Sequence, residues 1–381
     1  MKKVFEFLKK EPMLTVSLVA AAAAMIITLP SAELIKSIDW HTLAILFMML
    51  TVLEGFKKEN IFRPLLHFLA RIRTMSGLSL FLVFSVFFSS MFVTNDVSLI
   101  IFVPITIIIF RAGDKERYIL PVITMENIAA IRGSMLTPFG SPQNLFIFGQ
   151  SGVPALRFVL YMFPLSLISA VLLIAFVVVL YRKDIREKVP QTEKTQLEAW
   201  LPERRRVRIT YLLLFVVVIW TIVGRTELWL YITIAAAVII FIADRSLLVK
   251  TDYVLLLTFL CFFVFSSSIA ANERISGFLQ STVAGHEYAW SILLSQIISN
   301  VPASIVLYPF SENKGALLYG LDSAGLCSLI GSLASVINYR LYVREYPKKG
   351  GEFIKVFTLI SLLFFAIVVI PGYILGQRSI I

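Results

Sequence analysis

The feature that most restricts the fold of this chain is a succession of apolar runs, each long enough to cross a bilayer. A spanning α-helix needs about 20 predominantly apolar residues. Hydropathy places such runs near 12–30, 40–56, 118–145, 158–181, 208–224, 228–244, 252–270, 314–341 and 353–376. Two further apolar blocks, 76–111 and 288–310, carry polar residues and a proline near their middles. They read as helical hairpins, re-entrant or fully crossing. Backbone groups in hydrocarbon must be satisfied within the chain, so an all-α polytopic membrane protein is expected. Composition agrees, with 58% hydrophobic residues, 15% charged and a mean hydropathy of +0.85; soluble domains carry about 25% charged residues. The two cysteines, Cys261 and Cys327, lie in apolar stretches and exclude a disulfide framework. The scattered His41, His67 and His286 make no zinc pattern, and no cofactor is expected.

A net charge of +11 could signal nucleic acid. In an integral protein, excess Lys and Arg instead mark cytoplasmic loops, so lipid rather than nucleic acid is the expected contact. Basic residues gather in Lys57, Lys58, Arg63, Arg71 and Arg73, then in 182–208 (Arg182, Lys183, Arg186, Lys188, Lys194, Arg204, Arg205, Arg206, Arg208), and again in Arg340, Arg344, Lys348 and Lys349. The segments 31–39 and 271–287 are nearly neutral. All basic segments fall on one side if each hairpin enters and leaves from the same face, the first opening to the cytoplasm and the second outside. This predicts a multi-pass protein of the bacterial inner membrane, N-terminus cytoplasmic and C-terminus, after Gly376, outside. The run from Met13 to Leu29, preceded by Lys2, Lys3, Lys9 and Lys10, is longer than a signal-peptide core and reads as a retained span.

The chain repeats itself. TNDVSLIIFVP at 94–104 aligns with SNVPASIVLYP at 299–309, pairing Asn95 with Asn300 and Pro104 with Pro309 at an offset of 205 (300−95). FGSPQN at 139–144 aligns with IGSLAS at 330–335 at an offset of 191 (331−140), and Asp39-Trp40 resembles Asp252-Tyr253. The division is a first repeat 1–181 (hairpin 76–111, broken helix 118–145), a basic linker 182–207, one extra span 208–224, and a second repeat 225–381 (hairpin 288–310, broken helix 314–341). One extra crossing inverts the second copy, as the loop charges also demand. Inverted repeats set two half-sites near the bilayer midplane, reachable alternately from the two faces.

Polar residues concentrate at those half-sites. The hairpin tips carry Ser90, Thr94, Asn95 and Asp96, mirrored by Ser295, Ser299 and Asn300. Such groups between two half-helices coordinate a cation with freed carbonyls; otherwise they glue helices together. Gly133, Thr137, Pro138, Gly140, Pro142, Gln143 and Asn144 interrupt the first broken helix, and Gly325, Ser328, Gly331 and Ser332 the second. Asp96, Glu126, Arg132 and Asp322 are ionisable at membrane depth, where charge needs a partner or a wet cavity. An Asp96–Arg132 salt bridge is one reading of the pair, and Glu126, nearest a membrane face, reads as structural. Glu54 and His41 read as interfacial.

These pieces, TNDVSLIIFVP, ENIAAIRGSMLTPFGSPQN, SNVPASIVL and LDSAGLCSLIGSLAS, resemble the ion transporter superfamily. That group includes divalent-anion/sodium symporters, arsenite permeases and sodium/proton antiporters of the NhaD type; the nearest likeness is to short bacterial permeases of arsenite- or citrate-transporter type. The resemblance implies opposed hairpins, unwound helices, a homodimer and elevator-like motion. It implies cation binding by Ser90, Thr94, Asn95 and Asp96 with backbone at Gly140, and by Ser295, Ser299 and Asn300 with Gly331. The substrate-facing set is then Asn95, Asp96, Arg132, Thr137, Ser141, Asn144, Asn300, Asp322 and Ser332. Where the dicarboxylate branch carries a threonine at each tip, this chain has Asp96 and Val301, which looks more like the arsenite-permease and antiporter branches. The expected function is a secondary transporter of a small inorganic or organic anion, coupled to sodium or protons. The other reading is a sodium/proton antiporter using Asp96 and Asp322. No nucleophile–base pair or metal-ligand set in the spans suggests an enzyme.

Overall fold

Helices form where the apolar runs lie, and the breaks between them fall at the polar clusters. A computed structural model describes residues 11–28, 32–61, 68, 72–183 and 204–380. Lys2, Lys3, Lys9, Lys10, Arg63, Arg71, Arg186, Lys188 and Lys194 lie outside the described residues, with most of the basic linker. The first half comprises α1 (Pro12–Ile27), α2 (Ala32–Ser37), α3 (Trp40–Lys58), a hairpin of α4 (Met75–Val93) and α5 (Asn95–Ala112), α6 (Ile119–Ser134), α7 (Pro142–Ser151) and α8 (Ala155–Leu180). Then follow α9 (Arg205–Gly224), α10 (Trp229–Asp244), α11 (Ser246–Lys250), α12 (Tyr253–Ala270), α13 (Glu273–Val283), a hairpin of α14 (Glu287–Ile298) and α15 (Asn300–Leu307), α16 (Lys314–Ala324), α17 (Leu333–Glu345) and α18 (Gly350–Gly376). Seven of these, α3, α4, α5, α8, α9, α12 and α18, are long and apolar enough to cross a membrane.

The protein is therefore an all-α polytopic membrane protein, and its surface fits a bilayer. Along α8, Leu156, Leu160, Phe163, Leu167 and Val171 recur at helical spacing and stand exposed. In water such a stripe would be an aggregation face; in hydrocarbon it is the lipid contact.

The spans begin as the sequence suggests. Asp39 caps α3 by accepting from the Thr42 amide at 2.9 Å, and Asp252 caps α12 by accepting from Leu255 at 2.9 Å. Their backbone angles nearly coincide, φ −77° and ψ 79° against φ −75° and ψ 81°. Thr51, late in α3, hydrogen-bonds Thr251, just ahead of α12, at 2.9 Å. The two capped starts thus sit at opposite ends of an antiparallel pair.

The hairpins differ in a way the sequence reading does not anticipate. The first has arms of 19 and 18 residues, each of spanning length; the second has arms of 12 and 8. The aligned prolines part company here. Pro104 lies inside α5, whereas Pro309 falls in the 3-10 turn Tyr308–Phe310 that ends the second arm. Basic helix ends are tied together by ion pairs, Lys58 with Asp244, Arg204 with Glu59 at 2.7 Å, and Arg111 with Glu345 at 3.3 Å.

Packing centres on α6 and α16. Every residue of α6 except Pro121 is buried, against α4, α5, α8, α17 and α18. Every residue of α16 except its first is buried, against α7, α14, α15 and α18. Each broken helix is thereby clasped by its own hairpin and crossed by the other half.

Candidate functional site

Each hairpin turns at a residue with positive φ that is not glycine. Thr94 has φ 71° and ψ 155°, and its counterpart Ser299 has φ 68° and ψ 159°. L-residues avoid this region, so surrounding contacts must hold both turns there, an arrangement concentrated at functional sites. Asn95 and Asn300 open the second arms, and Ser90, Thr94, Asn95, Ser295, Ser299 and Asn300 are all buried. At the tips Ser90 donates to the Phe87 carbonyl (2.9 Å) and Ser295 to that of Ser291 (2.6 Å).

The helix breaks at 135–141 and 325–332 are also matched. Ser141 and Ser332 resume the helix with φ −147°, ψ 149° and φ −148°, ψ 139°. Gly140 and Gly331 pass so close to backbone that a Cβ would strike the Ser134 carbonyl in one case and the Ala324 carbonyl in the other. The Thr137 hydroxyl donates to Met91 of α4, and Ser328, at Thr137's aligned position, donates to Gln296 of α14 at 2.6 Å. Gln296 stands 205 positions after Met91 (296−91). The second tip is docked further, with the Asn300 amide donating to the Gly331 carbonyl at 3.2 Å. Pro142 does not break the helix as expected. It occupies the first turn of α7, where its missing N–H is harmless.

The two breaks meet at the centre. Arg132, at the end of α6, points a guanidinium nitrogen at Ser323 Oγ (3.5 Å), near the end of α16, and another at Met135 Sδ (3.5 Å). Its Nε has no partner although the side chain is fully buried. Ser323 is the position aligned with Arg132 itself (323−132 = 191). Asp322 accepts from Gln143 Nε2 of α7 at 3.0 Å, while its Oδ2 is unpartnered. Asp322 acts on Arg132 electrostatically, and among the described residues neither makes an ion pair. Beside them Ser141 Oγ, Gln143 Oε1 and Asn144 Oδ1 are buried without a donor. Asn127 donates to Ser335 Oγ (3.0 Å) and Asn338 to the Ile123 carbonyl (2.8 Å), so α17 runs antiparallel to α6.

An Asp96–Arg132 salt bridge is not formed. Asp96 is half-buried, its Oδ1 has no partner, and the charges acting on it are Asp252 and Lys57, at the ends of α12 and α3. Helix geometry explains this. Asp96 lies in the first turn of α5 and faces the capped start of α12, whereas Arg132 is directed from α6 toward α16. The structure joins Thr137 to the first hairpin, Asn300 to Gly331, and Asp322 to Gln143; it does not join Asp96 to Arg132 or to Asp322. Ser323, Gln296, Asn127, Ser335 and Asn338 were not singled out from sequence. For Ser323 the signal was available, since it aligns with Arg132, a residue already implicated in the other half.

Comparison with known proteins places this architecture. A profile of the CitMHS family, described as citrate transporter, matches residues 7–326. The chain is 29% identical over 312 residues to Inner membrane protein YbiR of Escherichia coli (strain K12), covering 80% of each chain. It is also 29% identical over 310 residues to Uncharacterized transporter MJ0456 of Methanocaldococcus jannaschii, covering 81% of this chain and 83% of the relative.

Proposed function

This chain belongs to the citrate transporter family and is a membrane transporter rather than an enzyme, and on that premise we propose that it is a secondary active anion transporter whose substrate carboxylates are bound by Arg132. The observation that carries the reading is a fully buried guanidinium with Nε unpartnered and only two long contacts, set where the two helix breaks meet. Arginine offers five donors in a planar fork that suits carboxylates, and a buried charge left this bare is completed by an anion. A tricarboxylate such as citrate supplies that anion with hydroxyl and carboxyl groups to spare for Ser141, Asn144 and Ser332. Asp322, which acts electrostatically on Arg132, offsets part of its charge and so disfavours the most highly charged anions.

The inverted repeat expected from the sequence suits alternating access. Matched tips, matched breaks and oppositely directed α3 and α12 are the geometry from which two half-sites exchange exposure. Sodium is assigned to the tips, with Ser90, Thr94, Asn95 and Gly140 on one side and Ser295, Ser299, Asn300 and Gly331 on the other. Thermal unfolding of the purified protein tests both assignments. Citrate is expected to raise the melting temperature, and sodium to raise it further. Asn95→Ala and Asn300→Ala should each lose the sodium increment while keeping the citrate shift. Sodium dependence unchanged in both variants rejects the tip assignment, and no shift with any anion rejects the anion reading. The unpartnered oxygens of Asp96 and Asp322 favour the second reading, a sodium/proton antiporter. Dissipation of a pH gradient by sodium with no anion present would decide for it.

A further inference from the structure

Glu126 stands apart from the site described above, on the same helix as Arg132 but six positions earlier (132−126), about 9 Å along the axis. It is fully buried. Among the described residues its hydrogen-bond partner is Thr106 of the first hairpin's second arm, whose hydroxyl donates to Oε1 at 2.5 Å, and its Oε2 has none. An ionised carboxylate in such a place lacks both a counter-charge and the hydrogen bonds that would replace its hydration, at a penalty of several kcal/mol. Burial of this kind favours the neutral carboxylic acid over the carboxylate.

The helices packed around it bring no counter-charge to the carboxyl among the described residues. Along α4, which packs on α6, there is no charged residue. On α5 the ionisable groups are Asp96 and Arg111, at the two ends. The entry turn carries Glu116, Arg117 and the buried Tyr118, and α8 carries Arg157 and Tyr161 near its start. On α17 they are Tyr339, Arg340, Tyr342, Arg344 and Glu345, and on α18 Glu352, Lys355 and Tyr373. Among the described residues none of these makes an ion pair or hydrogen bond with the Glu126 carboxyl; the Thr106 hydroxyl does.

A neutral acid could be mere filler, but its position argues otherwise. It lies at the contact of a hairpin arm with a broken helix, the two elements that carry the tip and the break. It is adjacent in sequence to Asn127, whose side chain leads through Ser335 to the Gly325 carbonyl in the second break (3.4 Å). The Glu126 carboxyl and the Asn127 amide leave α6 toward different helices, α5 and α17, so adjacent buried polar residues tie this helix to the first hairpin and to the second half.

We propose that Glu126 is a proton-binding site of the transport cycle, loaded in the state described here and unloaded when water reaches the α5–α6 contact. This rests on the transporter reading above and adds to the sodium at the hairpin tips a proton carried by Glu126. The step is a reversible protonation: a proton leaves hydronium, an O–H bond forms on the carboxylate, and water is released. In the reverse direction the O–H bond breaks and the proton returns to water.

Infrared spectroscopy of the purified full-length protein tests it, combined with uptake into proteoliposomes. Wild type is expected to show a carboxylic-acid carbonyl band at neutral pH that Glu126→Gln removes and that fades reversibly at alkaline pH. Glutamine keeps the shape and can still accept from Thr106. Should that variant fold poorly, Thr106→Val, which leaves the acid but removes its donor, is expected to shift the same band. Citrate uptake driven by an inward proton gradient should fall in Glu126→Gln to the level seen without a gradient, while citrate counterflow persists. A Glu126-dependent band that is absent, or that does not respond to pH, overturns the proposal. So does a variant whose uptake still follows the proton gradient. If wild type moves no citrate at all, the substrate reading fails while the band and its pH response still decide for or against Glu126.

Discussion

Arg132→Met abolishes anion-dependent stabilisation and leaves the protein at least as resistant to heat as the wild type. Both halves of this expected result follow from the same geometry. The guanidinium is fully buried and makes only long contacts to Ser323 and Met135, with Asp322 near but not bonded. Hydrogen bonds to a charged group are worth about 1.5–3 kcal/mol each, so losing a two-point contact to a carboxylate lowers affinity by about 100-fold or more. Removing a buried charge that makes no ion pair also removes its desolvation penalty, so a well-packed apolar side chain in its place is by contrast neutral or stabilising. A purely structural arginine predicts the reverse, a variant that melts early. Arg132→Lys is not a conservative control, because a point charge on a flexible stem does not reproduce the planar fork. Isothermal titration with citrate and a melting curve, on the same preparations, read both halves.

Gly140→Ala and Gly331→Ala are expected to destabilise the protein by about 1–3 kcal/mol each, the range for forcing atoms into filled space. The obstruction in both cases is a backbone carbonyl, Ser134 O for one and Ala324 O for the other, which cannot swing aside as a side chain can. Relief requires the break to open, so the loss falls on the half-site itself. Gly277, within α13, has nothing within 4 Å of an added Cβ. There alanine should stabilise by up to about 1 kcal/mol, through helix propensity alone. The contrast in sign separates a specific backbone approach from a general sensitivity to substitution at glycine. Melting temperatures of the three variants in one detergent check it, and equal effects at all three sites would contradict it.

Much of this was legible in the sequence because the signals are local. The starts of α3 and α12 announce themselves by an aspartate before an aromatic, and the hydrogen bonds to Thr42 and Leu255 are what that pattern means physically. The tips and breaks were legible for a similar reason. Polar residues in a hydrocarbon-length run have few alternatives, and an interrupted helix must release carbonyls. What sequence could not supply is direction. Whether Asp96 reaches Arg132 depends on how α5 and α6 are rotated about their axes, and the structure turns the first toward Lys57 and Asp252. The unequal hairpins were hidden for another reason. Pro104 and Pro309 align, but a proline is tolerated within α5 because neighbouring helices support it, and terminates α15 because a 3-10 turn is available there. Glu126 was read as structural from its depth alone. Its missing counter-charge became visible only when the faces of α4, α5, α17 and α18 were assembled around it.

Citrate counterflow reads out whether this protein moves an anion across the membrane by alternating access. Proteoliposomes holding the purified protein are loaded with unlabelled citrate and diluted into a trace of labelled citrate. The account predicts transient accumulation of label above equilibrium in wild type and none in Arg132→Met. Label that merely equilibrates, or wild-type accumulation that Arg132→Met matches, would contradict it.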